Sequence, residues 1–261
     1  MKVYVLTDLE GISGVCRFFQ TREEGPRYDE ARELLTRDCS ACVDGLLDAG
    51  VDDIVVHDGH GRPYNFVPEL MHPAAKHVVG DVPDWSGLVA GSDAVILLGY
   101  HAMAGTADGV LYHTQSSKGG NRYWYNGRES GEMAQHALIA GHFDIPVIMV
   151  SGDDATCREA REFFGDEIIT VSTKRGLSRE GAVLLAPSAA RERIRAGAKE
   201  AVGRIGRCRP YKIDLPITGR LWFPSKDTVD GYHQRHPATS RRIDDFTLEA
   251  TFETALDVLK F

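Results

Sequence analysis

What this chain lacks narrows its class first. No apolar run approaches the ~20 residues that a membrane-spanning helix needs. The chain enters an apolar segment at residue 2, without a basic n-region or a cleavable hydrophobic stretch, so a cytoplasmic protein is expected. Cysteine is sparse: five residues, an odd number without framework spacing, suit a reducing compartment. Cys39-Ser40-Ala41-Cys42 has the C-x-x-C form but lies inside an amphipathic helical pattern, where both cysteines read as small helix residues. Internal repeats, low-complexity tracts and a Gly-rich phosphate loop are missing. So is any excess of positive charge: the net charge is -8, and residues 1–150 hold 11 Lys+Arg against 21 Asp+Glu. An acidic first part that carries most of the histidines suits a cation site and argues against nucleic acid as a partner.

What is present is ordinary globular material, 43% apolar and 26% charged over 261 residues. Lys2 to Leu6 reads as a buried strand, followed by a polar loop over residues 15–27 that can cover a site, and by a helix from Tyr28 to Ala49 stopped at Gly50. Asp53 to Val56 is a second strand, giving a β-α-β unit with a parallel sheet. Lys76 to Val79, Asp93 to Leu98 and Pro146 to Val150 read as further strands. Residues 109–114 and 122–126 are expected to pair as a hairpin across Gly119-Gly120. Residues Glu129 to Glu132 open a helix that runs to about Gly141. The expected fold is α/β, an open, mostly parallel sheet with helices on both faces. A smaller α+β part is expected from residue 176 to 261, against a catalytic part over 1–175. Its elements are an Arg-rich helix from Ser188 to Arg204, short strands at Ile217–Phe223, Arg242-Ile243 and Thr247–Thr251, and a closing helix from Phe252.

Chemistry gathers at the strand ends, where open α/β sheets bind ligands. Asp8 and Glu10 follow the first strand and, in extended chain, point to one side. Two carboxylates that close favour a cation between them. Asp58 and His60 follow the second strand, His101 the fourth, Asp153 the strand ending at Val150. His113 comes from the expected hairpin and Glu132 from the first turn of a helix, with Glu129 in the same turn and not separable from it by local chemistry. Carboxylate oxygen with imidazole nitrogen is a donor set for Zn²⁺, and also for Mn²⁺ or Co²⁺. Six such groups with one shared carboxylate would hold two ions at ~3.5–4 Å, as in hydrolytic two-metal sites. Each residue alone also has a structural reading: Asp58 and Asp153 as caps, Glu132 as a helix-dipole partner. His72, His77, His136, His142, His233 and His236 read as surface or capping residues.

The stretches Val5 to Gly14, His57-Asp58-Gly59-His60, Leu98 to Ala102, Gly131-Glu132 and Val147 to Asp154 together resemble the zinc-dependent D-aminopeptidases associated with bacterial dipeptide transport. The resemblance follows the chain in order and is densest over residues 1–155. It implies two zinc ions, Asp8 bridging them, Glu10 and His60 completing one site, His101 and Glu132 the other, with His113 as the catalytic histidine. It thereby favours Glu132 over Glu129. It implies removal of the N-terminal residue of short peptides, with a D-amino acid at that position, by a metal-activated water. It also implies a homodecamer of two stacked rings. Two segments depart from the family's pattern, His57-Asp58-Gly59-His60 and Tyr112-His113-Thr114, and both lie at the site, which bears on substrate preference. Asp58 is expected to orient His57 or His60. Competing classes are another metallohydrolase, an amidase or a phosphatase using Arg62, Arg122 or Arg128, and a non-catalytic, metal-stabilised ring protein that binds peptides.

Overall fold

The computed structural model describes residues 1–61, 64–235 and 240–261. Strand β1 (Lys2–Thr7) sends Val3 and Val5 to one face and Tyr4 and Leu6 to the other, and both sets are buried. A strand covered on both sides belongs in a parallel sheet between helix layers. Helix α1 (Tyr28–Asp48) ends before Gly50, whose φ of 81° suits the left-handed turn that stops it. Strand β2 (Asp53–Asp58) then returns parallel to β1. Strand β3 (Lys76–Val78) adds beyond β2, a short helix α2 (Ser86–Val89) follows, and β4 (Ala94–Leu98) lies on the other side of β1.

Two short strands, β5 (Arg122–Tyr125) and β6 (Arg128–Ser130), leave this sheet before helix α3 (Glu132–His142). Strand β7 (Val147–Asp153), helix α4 (Asp154–Phe164), β8 (Ile169–Ser178), β9 (Gly181–Leu184) and helix α5 (Pro187–Val202) complete it. The order is β3-β2-β1-β4-β7-β8-β9, parallel except for β9. Leu35 and Leu46 of α1 and Ile194 and Ala198 of α5 cover one face; Met133 and Ala137 of α3 and Ala160 of α4 cover the other. Each large aliphatic side chain so buried contributes about 1.5–3 kcal/mol. The expected α/β sheet with helices on both faces is the observed one.

A second, antiparallel sheet has the order β11-β12-β10-β5-β6. Its later strands are β10 (Ile217–Trp222), β11 (Arg241–Arg242) and β12 (Thr247–Phe252), with helix α6 (Lys226–Arg235) between β10 and β11. Tyr125, Leu221, Leu248 and Phe252 pack against Leu138 and Ile139 of α3, so that helix lies between the two sheets. The expected division at residue 175 falls inside β8, and the second sheet takes β5 and β6 from before it. The chain closes in a 3-10 turn, Ala255–Lys260, in place of the helix expected from Phe252. No helix among the described residues is long and apolar enough to cross a membrane.

The hairpin expected across Gly119-Gly120 is not formed. Strand β5 pairs instead with β6 across Asn126-Gly127, with φ of 49° and 83°. Positive φ at both central residues is the two-residue turn that matches strand twist, and Asn-Gly is its preferred sequence. Residues 109–114 are irregular, with φ of 56° at Leu111.

Candidate metal centre and active site

The site forms where strand order reverses. From β1 the chain moves outward to β2 and β3, then returns to place β4 on the opposite side of β1. The crevice outside such a switch point is where open α/β sheets bind ligands. The loop after β1 and the loop after β4 touch there. Gly11 N donates to the Gly99 carbonyl at 2.7 Å, and a Cβ on Gly11 would lie 2.0 Å from the Tyr100 carbonyl oxygen. Glycine is what permits this approach, and it brings Asp8 to His101.

Buried polar groups pin the β1 loop from below. Ser13 donates through its amide and hydroxyl to Asp38 of α1, at 2.9 and 2.8 Å. Lys174 of β8, 2% exposed, donates its ammonium protons to the carbonyls of Glu10 (2.7 Å), Ile12 (2.8 Å) and Val15. The chain bends at Leu9 into a turn at Glu10 rather than staying extended, yet both carboxylates still reach one cluster.

That cluster has two adjacent halves. Asp8, Glu10 and His60 offer ligand atoms within 4.8 Å of one another, and so do His101, His113 and Glu132. Asp8 joins the halves: Oδ1 is 2.8 Å from His60 Nδ1 and Oδ2 is 3.3 Å from His101 Nε2. Glu10 Oε2 lies 3.1 Å from His60 Nδ1, and Glu132 Oε1 lies 3.5 Å from His101 Nε2 and 3.7 Å from His113 Nε2. The His101 and His113 rings stack at 3.9 Å.

Each imidazole is oriented by a backbone carbonyl. His60 Nε2–H donates to Thr21 O at 2.8 Å, His101 Nδ1–H to Ala102 O at 3.0 Å, and His113 Nδ1–H to Leu111 O at 2.8 Å. A carbonyl only accepts, so that nitrogen keeps its proton and the nitrogen that faces the cluster is the one free to bind an ion in place of a proton. This is the arrangement of metal-binding imidazoles. Asp8 Oδ2, Glu10 Oε2 and His101 Nε2 are buried without a hydrogen-bond partner among the described residues. Orphaned donor atoms of this kind, converging on one point, fit a divalent cation of the zinc type.

The carboxylates and imidazoles of the cluster hold one another in their charged forms. Burial opposes ionisation of Asp8, but the His101 and His60 imidazoles beside it hold its carboxyl well below the ordinary range. Glu132 is likewise pulled down to about 2, against burial, chiefly by the charge of His101. His60 and His101 are raised well above their ordinary value despite burial, by Glu10 and Asp8 for the first and Glu132 and Asp8 for the second. Burial and the neighbouring His101 push His113 down instead.

All six residues expected at the centre (Asp8, Glu10, His60, His101, His113 and Glu132) are thus brought together. Asp58 and Asp153 are not. Asp58 accepts from the Asn65 amide and side chain at 2.5 and 2.8 Å, fixing the loop after β2 rather than either imidazole ring. His57 instead meets the Tyr4 hydroxyl at 2.7 Å. Asp153 caps α4, accepting from Thr156 N at 2.7 Å. Glu129 forms a two-point pair with Arg122 at 2.5 and 2.7 Å, which separates it from Glu132 and removes Arg122 as a phosphate ligand. Arg128 lies over the Phe163 ring and donates to Glu162 O. His136, expected as a surface or capping residue, meets the Tyr100 hydroxyl at 2.7 Å. Arg62 and His236 lie outside the described residues.

The cavity over the cluster is small, about 190 Å³, and is walled by Thr21, Arg22, Gln115 and Ser117 besides the cluster itself. Gln115 N donates to Glu132 Oε1 at 2.6 Å. None of these four walls, nor Lys174, was signalled individually by the sequence. The loop over residues 15–27 was, and it supplies Thr21 and Arg22 through a 3-10 turn at Phe18–Gln20.

A family model described as D-aminopeptidase matches residues 1–261. A D-aminopeptidase of Bacillus subtilis (strain 168) is 34% identical over 194 residues, 73% of this chain and 69% of that protein. Among solved structures, the Zn-dependent D-aminopeptidase DppA from Bacillus subtilis, described as a self-compartmentalizing protease, superposes with a TM-score of 0.92. That match covers 100% of this chain and 94% of the other at 24% identity, and it establishes likeness of fold.

Proposed function

The chain belongs to the D-aminopeptidase family, and from that premise we propose that it removes the N-terminal residue, a D-amino acid, from short peptides at a centre of two zinc ions. Asp8 would bridge the ions, Glu10 and His60 would complete one site, and His101 and Glu132 the other. The observation that carries this reading is the convergence of orphaned Asp8 Oδ2, Glu10 Oε2 and His101 Nε2 with imidazoles whose outer nitrogens are already committed to carbonyls. When bound, such ions acidify a water and polarise a carbonyl oxygen.

The chain's own groups do the rest. His113 Nε2 faces the cavity as a proton acceptor because Nδ1–H is held by Leu111 O. It can take a proton from the attacking water and return it to the leaving amine, the work of a general base and acid. The Gln115 amide fixes Glu132 Oε1, and Lys174 and Asp38 fix the loop of Asp8 and Glu10, so the donors are preorganised. The solved relative's self-compartmentalizing character supports a homo-oligomer here too, and we extend this to a decamer in which the part after residue 175 contributes to assembly, working in the cytoplasm.

The test is zinc per chain of purified protein, with hydrolysis of D- and L-alanyl dipeptides assayed on the same sample. About two zinc ions with D-selective cleavage is the expected result. One ion per chain would remove the binuclear assignment, and two ions without cleavage of either series would remove the aminopeptidase assignment.

A further inference from the structure

The cavity contains a cation that the hydrolytic chemistry does not use. Arg22 lines it, next to Thr21, whose carbonyl orients His60. The side chain is half-buried, and its Nε is buried without a partner among the described residues. Its neighbours along the same loop are paired differently: Arg17 with Glu180 at 3.1 Å and Arg27 with Glu30 at 3.0 Å.

A cation placed there only to offset the acidic cluster would sit on one of its carboxylates. Asp8, Glu10 and Glu132 pair with His60, His101 and His113, not with Arg22. What holds Arg22 is an aromatic ring. Its guanidinium carbon lies 5.0 Å from the Phe18 centroid, and Arg179 lies 4.9 Å from the same centroid. Arg179 is engaged, donating to Ser117 O at 3.1 Å and lying over Tyr112. Arg22 is thus a guanidinium set against a ring, with its donors uncommitted among the described residues. A planar fork of N–H donors matches a carboxylate in a two-point bond.

We propose that Arg22 binds the free α-carboxylate of the substrate and so selects dipeptides over C-terminally blocked or longer peptides; this rests on the aminopeptidase reading above. The size of the cavity sets the length. At about 190 Å³ it is smaller than the ~300–1,000 Å³ of drug-sized pockets, so a peptide reacting at the cluster has its other end close by. A dipeptide is the shortest substrate with a scissile bond at one end and a carboxylate at the other.

The experiment uses zinc-loaded protein, wild type, R22A and R22K. Non-cleavable reduced-amide isosteres of D-alanyl-D-alanine, as free acid and as carboxamide, are titrated calorimetrically, and initial rates are measured on D-alanyl-D-alanine and its C-terminal amide. Wild type is expected to bind the acid about ten- to hundred-fold more tightly than the carboxamide, the scale of a hydrogen bond to a charged group. In R22A that ratio falls toward one and KM for the acid rises in step; R22K, a point charge without the fork, retains part of it. Wild type binding both isosteres alike, or R22A weakening both alike, overturns the proposal. Should R22A fail to fold, the wild-type ratio and R22K decide. Discrimination in binding without turnover of either peptide removes the aminopeptidase reading and leaves the carboxylate site; turnover without discrimination removes only the role of Arg22.

Discussion

The ammonium group of Lys174 lies 2.7 Å from the carbonyl oxygen of Glu10, so a buried cation on β8 holds the backbone of the loop that presents two acidic donors. The same group serves Ile12 and Val15. Burial lowers the Lys174 pKa to about 8, so its charge is costly and is kept for the three carbonyls it satisfies. Lys174→Met leaves those carbonyls without donors, at about 1–3 kcal/mol for each one that water does not reach. We predict a loss of at least ~3 kcal/mol in urea unfolding and weaker zinc binding in a competition titration, although no ligand is touched. An unchanged unfolding midpoint would show that the loop holds itself.

His113 separates two roles that share one geometry. It stacks on His101 and lies 3.7 Å from Glu132 Oε1, close enough for either a ligand or a proton carrier. As a proton carrier, His113→Ala keeps the zinc content of wild type and lowers kcat by about 10²–10⁴-fold, the usual contribution of general acid–base catalysis. A drop in zinc per chain alongside the lost rate would make it a ligand instead. Elemental analysis and steady-state rates on one preparation decide.

Glu159 carries a pH dependence that can be isolated. Its Oε2 accepts from Met103 N at 2.8 Å, while Oε1 is buried without a partner among the described residues. Burial pushes its carboxyl from 4.5 up to about 7. Between those values the folded protein keeps a proton that the unfolded chain has lost, so this group's contribution to stability falls as pH rises through that window. The span corresponds to about 3 kcal/mol. Glu159→Gln removes the ionisation, so its stability relative to wild type should improve by that amount between pH 4.5 and pH 7.5. A difference that stays constant with pH in urea unfolding would refute the buried, protonated state.

The sheet and most of the centre were legible in the sequence because the same residues encode both. Each apolar run, such as Val3 to Leu6 or Val95 to Leu98, reports a buried strand, and the polar residue that ends it reports the sheet edge. The order β2-β1-β4 then juxtaposes His60, Asp8 and His101. The hairpin forms across Asn126-Gly127 rather than across the expected Gly119-Gly120, because Asn-Gly is the stronger two-residue turn signal. Glu129 and Glu132 could not be separated locally because the partner that claims Glu129 is Arg122, across a turn. Lys174 and Arg22 carry no periodic signal at all. Each acts on residues distant in the chain or packed around a cavity, and a single basic residue looks the same in sequence whether it faces solvent or a carbonyl cage.

Close backbone contact makes the last prediction the most local. The β1 and β4 loops meet at Gly11 and Gly99, and a Cβ on Gly11 would sit 2.0 Å from the Tyr100 carbonyl oxygen and 2.5 Å from the Gly99 carbonyl carbon. Backbone atoms cannot swing aside as a side chain can, so Gly11→Ala must push the two loops apart and carry Asp8 away from His101. Overpacking of this kind costs about 1–3 kcal/mol, and misplacing reacting groups by 1 Å costs about 10²-fold in rate. Gly87 of α2 provides the contrast, since a Cβ there meets nothing within 4 Å. Gly87→Ala should be neutral or stabilising by up to about 1 kcal/mol, because alanine is the better helix residue. Melting temperature, zinc content and dipeptide hydrolysis measured on both variants test the contact directly. A Gly11→Ala protein that kept wild-type zinc and rate would mean that the two loops do not need to touch for the centre to form.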